Sequence, residues 1–141
     1  QISTKWHQRE EKTMEINKAR MAVAPSKYEP HGQFDLEAGA CGVPCINGTG
    51  GFLERMIENV TALHCDPFNP SDIAEKIEYL LVNPERTEEI GANAREFIER
   101  YYDWDDRARI YPKMFEAIVE GDYERLKSIP LVVKAEDMIL S

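Results

Sequence analysis

What this chain lacks first is an excess of positive charge: 17 Lys and Arg stand against 26 Asp and Glu, a net charge of −9 over 141 residues. Binding along a phosphate backbone requires clustered Lys and Arg. No basic stripe is visible, and a nucleic-acid partner is excluded on that ground. Long apolar runs are missing too. The longest are a few residues and the N-terminus is polar, so neither a signal peptide nor a membrane span is expected, and a cytoplasmic setting is the default. Cysteine is scarce: Cys41, Cys45 and Cys65 are odd in number and sit among apolar residues, which suits reduced thiols better than a disulfide framework. Cys41-x3-Cys45 lacks the two further ligands of a zinc site, so no metal and no cofactor is expected. In a cytoplasmic chain the Asn-x-Thr triplets at Asn47 and Asn59 are chance matches to a glycosylation acceptor. Internal repeats and low-complexity tracts are absent from the sequence.

What is present fits one compact domain, since a 43% hydrophobic content is enough for a single core at this length. Residues 1–128 are read as an α/β domain and 129–141 as a tail. Short apolar runs at 21–24, 44–47 and 62–65 read as strands separated by helical segments, the pattern of a parallel sheet. Residues 1–12 read as a polar lead-in, with a helix at 13–18. Further helices are expected at 34–41, closed by Gly42, and at 53–58. Beyond Ser71, read as an N-cap, the chain is helical. Ile73, Ile77, Leu80 and Leu81 recur at helical spacing until Asn83-Pro84, and Ile90, Ala94, Phe97, Ile98 and Tyr101 share one side of a helix at 86–101. A helix at 105–119 carries Ile110, Met114 and Ile118 as its apolar stripe and is broken by Gly121, and 123–128 adds a turn. Trp6 and Trp104 read as packing residues, and the alternating charges after Ser71 as solvated helix faces.

One constellation carries chemistry. Glu29 and Glu37 flank seven residues in a stretch that reads as strand, glycine turn, short helix, strand: Pro25-Ser-Lys-Tyr-Glu-Pro-His-Gly-Gln-Phe-Asp-Leu-Glu-Ala-Gly-Ala-Cys-Gly-Val-Pro-Cys-Ile46. The first carboxylate then lies in the loop above a strand and the second on the helix behind it. In an open parallel sheet ligands bind outside the carboxyl ends of the strands, where a helix start offers free N–H groups to a phosphate. Gly32 permits the turn, and the amides of Gly32, Gln33 and Phe34 need no particular side chain to reach a ligand. A carboxylate one turn into the helix accepts both ribose hydroxyls of a nucleotide.

The Glu-x7-Glu spacing, followed by Glu37-Ala-Gly-Ala-Cys-Gly-Val-Pro44 and by Gly50-Gly51-Phe-Leu-Glu54, resembles the donor-binding domain of retaining glycosyltransferases with the GT-B fold, the family-four or group 1 type. The resemblance covers roughly residues 15–105. It implies a partial Rossmann-like parallel sheet, the C-terminal half of a donor-binding domain, followed by helices. It implies transfer of a sugar from a uridine or guanosine diphosphate donor to an acceptor hydroxyl, with retention of configuration and without a metal. Glu29 then orients the donor sugar and stabilises positive charge developing at the anomeric carbon, Glu37 holds the ribose, and His31, Gly32, Gln33 and Phe34 contact the donor. A complete GT-B enzyme has two such domains, so the chain is read as a fragment whose N-terminal partner domain and upstream strands are elsewhere. In the family those strands supply a basic pair for the diphosphate; Lys27 is the nearest candidate here.

Plainer readings stand beside these. Glu29 is also readable as an exposed loop residue, Glu37 as a helix-start acid stabilised by the macrodipole, and His31 as polar surface. His31 and Gln33 stand where the family carries apolar or aromatic residues. Six of the eight glycines fall between Gly32 and Gly51, which fits either close approach of a ligand or tight connections. Glu54 reads as a helix-start residue. Two other functions are compatible with the residues: a non-catalytic donor-domain remnant that binds nucleotide weakly or mediates association, and a sugar-nucleotide epimerase of the same architecture.

Overall fold

The computed structural model describes residues 8–29, 32–50 and 56–129. The elements follow in the order α1 (Arg9–Ile16), β1 (Ala22–Ala24), α2 (Phe34–Ala40), β2 (Cys45–Gly48), β3 (Ala62–Cys65), α3 (Pro70–Val82), α4 (Pro84–Tyr101), α5 (Trp104–Glu120) and α6 (Tyr123–Ser128). The strands form a three-stranded parallel sheet in the order β1-β2-β3. Ala22 pairs with Cys45 and Cys45 with Ala62, so these three side chains share one face, while Ile46 and Leu63 share the other.

Each face has its own cover. On the first, Ala22 and Cys45 pack with Ile16 of α1, Ala38 of α2 and Val43, while Ala62 packs with Met56, Phe97 and Ile98 at the end of α4. On the second, Ile46, Leu63 and Cys65 meet Leu80 of α3 and Ile90 of α4. The strands are apolar on both sides because helices lie on both sides, as parallel sheets require. The joint between α3 and α4 is a single residue, Asn83, which caps both helices. Buried Thr87 closes it: its hydroxyl faces the carbonyls of Leu80 at 2.6 Å and Asn83 at 2.9 Å.

Helix α2 lies against α4 at backbone contact distance. A Cβ placed on Gly91 would come within 2.1 Å of the Gly42 carbonyl oxygen, so no side chain fits there. Gly42 itself has φ 71°, the left-handed conformation that ends α2.

Several expectations need correction. The first helix runs Arg9–Ile16 rather than over 13–18, because Ile16 is the residue the core takes and the chain turns away directly after it. The N-cap of α3 is Asn69, whose side chain accepts from the amides of Ser71 and Asp72; Ser71 lies inside the helix behind Pro70. Residues 56–58 are not helical. A tight turn at Asn59, with φ 62°, sends the chain back so that Thr61 Oγ1 accepts from the Ile57 amide and Glu58 bridges to Ala62. Trp104 does not pack but stands 77% exposed, and Ile118 of the expected stripe is exposed as well. Trp6, the Gly51 half of the glycine pair, Glu54 and the tail from 130 onward lie outside the described residues.

Helix α5 packs mainly on α6, where Arg125 pairs with Glu116 and Glu120 at 3.0 Å each. Among the described residues, Trp104, Tyr111, Phe115 and Ile118 form an uncovered apolar stripe at helical spacing. No helix among the described residues is long and apolar enough to cross a membrane.

Candidate functional site

The carboxyl ends of the strands open into three loops. The loop after β1 carries Ser26, Lys27, Tyr28 and Glu29, and Gly32 and Gln33 lead into the start of α2. The loop after β2 lies directly on it: the Glu29 amide donates to the Gly50 carbonyl at 3.3 Å. A Cβ on Gly48 would fall 2.3 Å from the Ser26 carbonyl oxygen, and one on Gly50 2.1 Å from that of Lys27. Gly48 at the end of β2 and Gly50 just after it therefore serve the close approach to the loop that follows β1. The loop after β3 adds Phe68, whose ring lies under the Lys27 ammonium at 4.8 Å.

Glu29 and Glu37 are both half-buried, the first in the loop between β1 and α2 and the second one turn into α2. Gln33 is the N-cap of α2, and its own side chain makes no capping bond. Gln33 and Phe34 are exposed and Gly32 is half-buried. His31 lies outside the described residues. Glu37 is held from outside its own helix: the Lys12 ammonium of α1 stands 2.6 Å from Glu37 Oε1.

Beneath α2 lies a polar cluster that the sequence reading missed. Asp35 and Asn47 are fully buried. The Cys45 thiol donates to Asn47 Oδ1 at 2.8 Å, and burial, with Asp35 nearby, pushes that thiol well above its usual range. His64 follows Asn47 in register on the next strand, with Nδ1 3.3 Å from Glu58 Oε2. Asn47 Nδ2 and His64 Nε2 are buried without a hydrogen-bond partner among the described residues. The signal in the sequence was a polar residue, Asn47 or His64, inside each of two otherwise apolar strands. Lys12 was missed because it fell in a segment read as a polar lead-in.

A shallow recess of about 210 Å³ is lined by Ala19, Arg20, Val43, Pro44, Thr87 and Glu88 among others. It lies at the amino ends of β1 and β2, opposite the rim that bears Glu29 and Glu37. The rim is the candidate site, because the loop bearing Glu29 and the helix bearing Glu37 follow from the carboxyl end of β1, and the recess is lined by neither residue. Among the described residues no group of His, Cys, Asp and Glu is arranged to hold a metal ion.

A parallel α/β sheet with a carboxylate in the first loop and another on the following short helix defines the class: the architecture is that of GT-B glycosyltransferases. The chain belongs to the glycosyl transferases group 1 family, whose model matches residues 1–97. It is 29% identical over 121 residues to a glycogen synthase of Mycobacterium tuberculosis, a match covering 85% of this chain and 29% of that protein. It superposes on sucrose-phosphate synthase of Thermosynechococcus elongatus with a TM-score of 0.66 at 30% identity, over 73% of this chain and 27% of that one. HepE of Anabaena, solved with UDP-glucose, shares the fold at a TM-score of 0.58 and 23% identity, over 60% of this chain and 24% of that one. The chain thus spans under a third of the length of these curated relatives and solved structures.

Proposed function

We propose that this chain is the nucleotide-sugar-binding part of a retaining glycosyltransferase. It holds a uridine or guanosine diphosphate sugar for transfer to an acceptor hydroxyl. The observation that carries the reading is the placement of Glu29 and Glu37, both half-buried, one in the loop that leaves the carboxyl end of β1 and the other one turn into the α2 that follows it. A buried carboxylate is costly to keep charged, and a fully exposed one gives little to a ligand; half-burial at the sheet's binding rim suits hydroxyl recognition. Glu29 orients the donor sugar and stabilises charge developing at its anomeric carbon, Glu37 accepts from the ribose hydroxyls, and the amides of Gly32, Gln33 and Phe34 face the diphosphate. His31 adjoins the sugar. The departing phosphate takes the acceptor's proton on the same face, so the chemistry requires no protein nucleophile. HepE, of the same fold, binds UDP-glucose, which supports a donor of this kind.

Calorimetric titration with UDP, GDP and UDP-glucose tests the reading. Binding of one nucleoside diphosphate, weakened at least about ten-fold in Glu37→Gln by loss of a charge-assisted hydrogen bond, is the expected result. No heat with any of the three, from a folded chain, would overturn it.

One observation favours the alternative of a module that mediates association: the uncovered stripe of Trp104, Tyr111, Phe115 and Ile118 on α5. Under that reading the chain sediments as a dimer that Phe115→Glu returns to monomer, and it binds no nucleotide.

A further inference from the structure

Lys12 and Glu37 come from different helices, and the ion pair between them is short, at 2.6 Å, with side chains 44% and 34% exposed. A pair this open contributes little to folding, because water competes for both charges and two long side chains lose their freedom. Ile16 already anchors α1 in the core, so the fold does not need the pair to hold the helix. The effect of the contact falls instead on Glu37. A carboxylate has two oxygens, and Lys12 takes Oε1; among the described residues Glu37 makes no second hydrogen bond or ion pair, which leaves Oε2 for an incoming hydroxyl. The site is also acidic: Glu29 and Glu37 are two carboxylates eight positions apart in a chain of net charge −9, and a diphosphate approaching them is repelled unless a cation stands close. Lys27 stands over the Phe68 ring, whereas Lys12 is in direct contact with Glu37.

We propose that Lys12 is a positioning residue of the donor site. It fixes the rotamer of Glu37 so that Oε2 faces the ribose, and it offsets the Glu37 charge so that the same rim accepts a nucleoside diphosphate. The inference rests on the donor-binding reading above and adds to it a contact from α1. Its chemistry predicts a graded dependence on the ligand: a nucleoside diphosphate, which carries negative charge and a ribose, loses most when Lys12 is removed, and the uncharged nucleoside loses less.

The test is calorimetric titration of the whole chain with UDP, GDP and uridine, for wild type, Lys12→Gln, Lys12→Arg, Glu37→Gln and the double variant Lys12→Gln/Glu37→Gln. Expected is about a ten-fold weaker binding of the preferred diphosphate in Lys12→Gln, a smaller loss for uridine, and recovery in Lys12→Arg. In the Glu37→Gln background the Lys12→Gln change adds little, because the two residues act as a unit. The thermal midpoint of Lys12→Gln stays close to that of wild type, which a merely structural role of the pair would lower. Wild-type binding of the diphosphate with no loss in Lys12→Gln overturns the proposal and leaves the donor-binding reading standing, as does an equal loss in the presence and absence of Glu37. Absence of binding by the wild type overturns both.

Discussion

Leu80 and Phe115 are both large apolar residues on amphipathic helices, yet Leu80 is fully buried and Phe115 is 59% exposed. The contrast runs through the two regions they belong to. In the sheet with α2, α3 and α4, the apolar face of every helix meets a strand or another helix, and the contacts are close enough that Gly91 tolerates no side chain. In the hairpin of α5 and α6, Ala117 is the one buried residue of the longer helix, and charged pairs around Arg125 make up much of the join. Periodicity marks which face of a helix is apolar; it carries no information about whether a partner lies opposite. The two regions therefore differ in what substitution costs, though their sequence patterns look alike.

The largest effect is expected where the body is tightest. Gly91→Ala forces its Cβ against the Gly42 carbonyl, and backbone rather than a flexible side chain must give way, so a loss of at least about 3 kcal/mol is expected in urea unfolding. Should Gly91→Ala cost no more than a surface substitution, the close α2–α4 contact is wrong. Leu80→Ala leaves a cavity between α3 and the sheet and loses about 3 kcal/mol by the same measurement.

A smaller effect follows from pH. Burial raises the Cys45 thiol above its ordinary value of 9.0. Above that pH the unfolded chain releases a proton that the folded chain keeps, so the unfolded state binds fewer protons and stability falls as pH rises; below it the contribution is intact. At one unit above the ordinary value the loss is about 1 kcal/mol from Cys45, and Cys45→Ala should flatten the slope between neutral and alkaline unfolding curves. The smallest effect is expected on the hairpin. Phe115→Ala should change unfolding by less than about 0.5 kcal/mol in the monomer; a loss comparable to that of Leu80→Ala would show that the stripe is covered after all.

Much of the body was legible because its signals are local. Residues 62–65 were read as a strand and are one, and the Pro and Gly boundaries at Pro84, Gly42 and Gly121 mark where helices begin or end. Asn69 was missed as a cap because Ser71 offered the same chemistry two residues later, and only the position of Pro70 in the first turn separates them. Glu29 and Glu37 were legible as a motif; Glu29 lies in the loop after β1 and Glu37 one turn into α2. Lys12 was not legible, since its partner is 25 residues away and a polar N-terminal stretch carries no periodicity that would announce it. Asp35 was hidden for a related reason: a charged residue in the first turn of a helix reads as surface, and gives no hint that α2 will turn it into the core.

By itself the sequence determined the alternation of strand and helix, the acidic surface, and the family, because these depend on residue type and spacing along the chain. The tertiary structure decided which apolar faces are covered, that Gly48 and Gly50 serve the close approach to the loop after β1, and that Lys12 reaches Glu37. Those outcomes depend on distances between residues far apart in the chain, which no local pattern encodes.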